Sequence, residues 1–83
     1  MATSELTMVH LLNIPAERAK NQYLFVDGNG VVATITQAKR FFCEKWWVDF
    51  LVERHSSASY GHPEFEDAVR TVTRILGPVA HHD

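Results

Sequence analysis

The chain has 83 residues, 46% of them hydrophobic and 22% charged, with 4 Gly and 3 Pro. This fits one small globular domain over 1–83 and excludes a disordered, collagenous or low-complexity chain. Eight Lys and Arg against ten Asp and Glu give a formal net charge of −2, which removes the basic footprint of a typical nucleic-acid binder. The single cysteine, Cys43, cannot make an internal disulfide. No 18-residue apolar run and no signal-peptide pattern are present, so a cytoplasmic chain without membrane contact is expected.

In chain order, the first segment admits two readings. Thr3 or Ser4 with Glu5 can start a helix through Leu12, whereas Leu6 to Ile14 is apolar enough for a strand. The strand, over 6–13, is preferred because a lone hairpin is a marginal sheet and a third strand completes it. Pro15 ends either element, and a short helix begun by that proline fits Ala16 to Lys20.

Tyr23-Leu24-Phe25-Val26 and Val31-Val32-Ala33-Thr34-Ile35 flank Asp27-Gly28-Asn29-Gly30. Aromatic and β-branched runs on either side of residues that tolerate positive φ predict a β-hairpin with strands 22–27 and 30–35. The four turn residues are not a calcium loop, because Val31 and Val32 stand where a ligand and a glycine belong. Nor are they a dinucleotide fingerprint, which needs a helix rather than a strand to follow.

From Thr36, an N-cap candidate, to His55 there is neither Gly nor Pro, which predicts a long helix over 36–55. At 100° per residue its apolar residues spread over three ridges: Ala38, Phe41, Val48 and Val52; Phe42, Trp46 and Phe50; Cys43, Trp47 and Leu51. A helix apolar on nearly every side needs cover on more than one side. After the polar break 56–61, Pro63 and the acidic Glu64, Glu66 and Asp67 open a second helix over 63–76. Its stripe is Phe65, Ala68, Val69, Val72, Ile75 and Leu76, and Gly77-Pro78 stops it. Residues 79–83 read as a frayed tail. The expected fold class is therefore α+β: a small antiparallel sheet packed by a long helix and a C-terminal helix.

No catalytic constellation emerges. The five histidines lack the spacing of a zinc site: His81 and His82 are tail residues, His55 and His62 bracket a loop, and His10 lies in an apolar segment. Cys43 reads as a small apolar residue rather than a nucleophile. Asp49/Glu53 and Glu64/Glu66/Asp67 read as solvated carboxylates rather than an acid/base pair. No catalytic residue, metal ligand or cofactor site is assigned.

The functional expectation rests on the aromatic surplus. A sheet face and one amphipathic helix cannot cover all three ridges, so Phe42, Trp46, Trp47, Phe50 and Leu51 are the expected interface, to a second copy or to another protein. A non-enzymatic interaction module of accessory, regulatory or inhibitory type, self-associating through the aromatic helix as a homodimer, is the leading reading. Two alternatives stand beside it: a nucleic-acid-binding domain using Lys39, Arg40 and Lys45 with tryptophan stacking, and a small-ligand pocket lined by Phe42, Trp46 and Phe50.

Overall fold

The computed structural model describes residues 5–14, 19–51 and 59–82, with residues 13 and 14 described in backbone only. The elements run β1 (Leu6–Ile14), β2 (Ala19–Asp27), β3 (Gly30–Arg40), β4 (Cys43–Phe50), β5 (Ser59–His62), α1 (Phe65–Leu76) and β6 (Val79–His82). They form one six-stranded mixed sheet in the order β5-β4-β3-β2-β1-β6. The first five strands make an antiparallel meander. The chain then crosses through α1 to the opposite edge, where β6 pairs parallel with β1.

Strand register arranges the core in rows across the sheet. Met8, Phe25, Ala33 and Phe50 are cross-strand neighbours, and His10, Tyr23, Ile35, Val48 and Tyr60 form the adjacent row. Onto these rows α1 lays Ala68 and Val72, both fully buried, with Phe65, Val69 and Leu76 at the margin. Gly77, at φ 96°, ends the helix in a conformation that side chains disfavour, and its N–H donates to the Thr73 carbonyl. The opposite face carries the row Leu11, Gln22, Thr36, Trp47 and Gly61. Its buried polar groups are paired: Gln22 Nε2 donates to Thr36 Oγ1 at 3.1 Å.

The predicted long helix over 36–55 is not formed. Residues 36–40 complete β3, Phe41-Phe42 turn the chain, and 43–50 form β4; residues 52–55 lie outside the described residues. The reason is the period of the pattern. Apolar residues that fall on three sides of a helix fall on two faces of a strand, with Trp46, Val48 and Phe50 toward α1 and Trp47 on the other face. β-Branched and aromatic residues favour the pleated surface, and here tertiary pairing decides. The fold is thus a six-stranded mixed sheet with one short C-terminal helix, not a small sheet packed by a long helix.

Other expectations are adjusted in the same way. The N-terminal segment is the preferred strand, which runs one residue further than 6–13, to Ile14. The hairpin strands extend beyond 22–27 and 30–35 to 19–27 and 30–40, so Ala19 and Lys20 belong to β2 rather than to a helix, and 16–18 lie outside the described residues. The helix placed at 63–76 begins at Phe65. Residues 79–82, expected to fray, form β6, held by parallel pairing to β1 and by a hydrogen bond between the His81 and Glu5 side chains.

Candidate functional site: the aromatic end of the β3–β4 hairpin

Arg40 pairs with Cys43, which leaves Phe41 and Phe42 as a two-residue loop. Both have positive φ, 51° and 65°, the pattern of a type I′ turn, whose twist matches the flanking strands and which Asn-Gly ordinarily supplies. Bulky residues there are strained, at a cost of about 1–2 kcal/mol each. Burial does not offset this strain, because Phe41 is 83% exposed and Phe42 94% exposed.

Behind the tip the structure is fixed. The Phe41 ring meets the Trp47 ring edge-on at 5.9 Å, and the Arg40 guanidinium lies 5.6 Å from the Trp47 ring centre. Trp47 is itself buried, and its Nε1–H donates to the Ala38 carbonyl at 2.9 Å. Its ring lies so close over Gly61 that a Cβ on that residue would stand 2.7 Å from Trp47 Cζ3. Arg40 Nη1 donates to Asp49 Oδ2 at 3.2 Å, and Ser59 Oγ donates to Asp49 Oδ1 at 2.7 Å. Two exposed aromatic side chains therefore project from a braced base, a preorganised arrangement that loses little freedom on binding.

The expected interface residues divide. Phe42 is at the tip and Leu51, 55% exposed, follows β4. Trp47 braces the tip from beneath. Phe50 is core, with its ring 6.1 Å from that of Tyr60. Trp46 packs on the helix, its ring 4.9 Å from Phe65, which also lies 4.5 Å from Tyr23. Phe41, which the sequence reading placed on a helical ridge outside the interface, is the missed site residue. The available signal was that the apolar residues of 36–55 gather on no single helical stripe. Cys43, read as a packed helical residue, is exposed at the start of β4.

The alternative sites are less convergent. An open cleft of about 340 Å³ beside the start of α1 is lined by Lys20, Gln37, Glu44, Lys45, Trp46 and Pro63, and so contains neither Phe42 nor Phe50. Of its lining, Gln37 is held from outside the cleft: its Oε1 accepts from Asn21 Nδ2 at 2.7 Å, and Asn21 Oδ1 bonds His10 Nε2 at 2.8 Å. Of the basic trio, Arg40 is engaged by Asp49, and Lys39 sits opposite Glu44, which also pairs with Lys20 at 3.3 Å. Acidic neighbours thus offset the positive charge that phosphate binding needs.

One contact imitates a nucleophile and its base: Thr71 Oγ1 lies 2.9 Å from His62 Nε2. The Thr71 hydroxyl, however, is buried on α1 and donates to the Asp67 carbonyl. It therefore accepts from His62, which carries its proton on Nε2. The pair fastens α1 to β5. Among the described residues, no group of three His, Cys, Asp or Glu side chains stands together as a metal site, and no helix is long and apolar enough to cross a membrane. Comparison with protein-family models, curated proteins and solved structures finds no match to this chain.

Proposed function

We propose that the chain is a non-enzymatic protein–protein interaction module whose contact element is the Phe41-Phe42 tip of the β3–β4 hairpin, entering an apolar recess on a partner protein. The observation that carries this reading is the pairing of strain with exposure: two phenylalanines hold positive φ while remaining 83% and 94% exposed. The turn gains nothing from them and the Phe41 contact with Trp47 leaves both phenylalanine rings largely exposed, whereas aromatic anchors are the side chains that dominate interface energetics. Accessory, regulatory and inhibitory proteins use small modules of this kind. The self-association through an aromatic helix anticipated from sequence is replaced by docking through a hairpin.

A photo-reactive phenylalanine analogue at position 42, introduced in the cells that make the protein, tests the reading. The expected result is one defined protein adduct. It should be absent when the analogue stands at Val31, a 40% exposed position at the start of β3, and suppressed by excess unlabelled chain. Equal labelling at both positions, or adducts to lipid alone, overturns the proposal. The double variant Phe41→Asn/Phe42→Gly separates binding from folding. It should remove the adduct's competitor activity while raising stability by about 1 kcal/mol, because relief of turn strain exceeds the lost ring contact.

A further inference from the structure

We infer that the cleft beside the start of α1 is a binding site for a small monocarboxylate with a flat apolar body, its carboxylate held by Lys45 and Gln37 and its body by Trp46 and Pro63. The inference does not depend on the hairpin tip. Of the aromatic pocket expected from the sequence it keeps Trp46 alone.

The cleft forms where β5 stops short. β5 pairs with β4 from Asp49 back to Trp46, so among the described residues no strand lies beside Glu44 and Lys45, and Pro63, leading into α1, bounds the gap. Its volume of about 340 Å³ falls at the lower end of the range for small-ligand sites.

The donors of this cleft are left over from the fold. A relay fixes the Gln37 amide: Asn21 gives its oxygen to the His10 contact and its Nδ2–H to Gln37 Oε1. With that oxygen engaged, what Gln37 has to offer the cleft is Nε2, which has no acceptor among the described residues. Gln37 is half-buried, and an unmet donor in such a place favours a ligand that brings an acceptor. Lys45 is in the same position, because the Glu44 carboxylate is taken by Lys20 at 3.3 Å and no other carboxylate among the described residues pairs with Lys45. Two lysines against one glutamate leave the lining positive by a single charge, which a carboxylate matches and a dianion exceeds. The two carboxylate oxygens supply one acceptor to each donor. The apolar part of the lining is two rigid rings, the Pro63 pyrrolidine and the half-buried Trp46 indole, which packs on Phe65 at 4.9 Å. Fixed flat walls suit a flat body and lose little freedom when it binds.

Titration of the isotope-labelled full chain with phenylacetate, followed by two-dimensional NMR, tests this. The Gln37 side-chain amide and the Trp46 indole N–H should shift and saturate, with a dissociation constant of about 1 mM. The Trp47 indole N–H, bonded to the Ala38 carbonyl, should stay in place. Phenylacetamide, which keeps the shape and lacks the charge, and acetate, which keeps the charge and lacks the ring, should each bind at least fivefold more weakly. Lys45→Gln removes the cation. Gln37→Glu keeps an acceptor for Asn21 Nδ2 and puts a second carboxylate where the donor stood. Each substitution should raise the dissociation constant for phenylacetate at least fivefold in a chain whose spectrum stays dispersed. Shifts that grow without saturating overturn the inference, as does phenylacetamide, acetate or inorganic phosphate binding as tightly as phenylacetate. So does a dissociation constant unmoved in Lys45→Gln or in Gln37→Glu. The analogue series needs no substitution, so it decides even where a variant fails to fold.

Discussion

At the scale of single residues, the base of the hairpin depends on what one glycine lacks. Gly61 has no positive φ to satisfy; its role is the space its missing side chain leaves under Trp47. A methyl group there stands 2.7 Å from Trp47 Cζ3 and about 3.0 Å from two more ring carbons, contacts that neither the ring nor the β5 backbone can yield without shifting. Overpacking of this kind costs about 1–3 kcal/mol. Gly61→Ala is therefore expected to unfold at lower urea concentration than the parent, with altered tryptophan emission in the folded state; an unchanged midpoint would show that Trp47 moves freely aside. The hydroxyl of Thr71 makes a parallel case. Thr71→Val deprives His62 Nε2–H of its acceptor, and a loss of about 1–2 kcal/mol in denaturant unfolding is expected.

Elements were legible in the sequence where the local chemistry was conventional. Asp27 to Gly30 announces a turn, with the Asn29 N–H donating to Asp27 Oδ1, and the Phe65 to Leu76 stripe with its Gly77 stop announces a helix. The β3–β4 hairpin was hidden because its turn uses two phenylalanines where turn-forming residues are expected. Without that punctuation, β3 and β4 ran together into one apolar stretch of helical length. The symptom was visible nonetheless, since a pattern that fits no helical stripe has the wrong period. The candidate site went the same way: Phe42 was marked as exposed surface, but its partner Phe41 and the bracing role of Trp47 depend on a register that only pairing reveals.

Arg40 and Asp49 offer a direct measurement of that register. They face each other at 3.2 Å, each about 29% exposed, although nine residues separate them; along a helix they would stand roughly 13 Å apart. A double-mutant cycle on Arg40→Ala and Asp49→Ala should return a coupling of about 0.5–1 kcal/mol. Additive effects would contradict the hairpin.

For the whole molecule, what closes the fold is the route from β5 to β6. A meander of five strands leaves an apolar face and two open edges; the chain after β5 covers the face with α1 and then reaches the far edge to pair with β1. A tail and a strand make different demands on residues 79–82. In a frayed tail Val79 touches nothing and tolerates any polar substitution. In β6 it packs at the margin of the core that holds Leu6, opposite which it sits. Val79→Asp brings a carboxylate against that apolar margin and should cost about 1–3 kcal/mol. The effect is expected to be local before it is global: amide exchange at Leu6 to Met8 should rise at least tenfold, while the central residues of β3 keep their protection. Among the described residues β6 is the strand outside Leu6 to Met8, so its loss bares that edge and the same variant should also associate more readily at high concentration. Unchanged melting and unchanged exchange at Leu6 to Met8 would return residues 79–82 to the status of a tail.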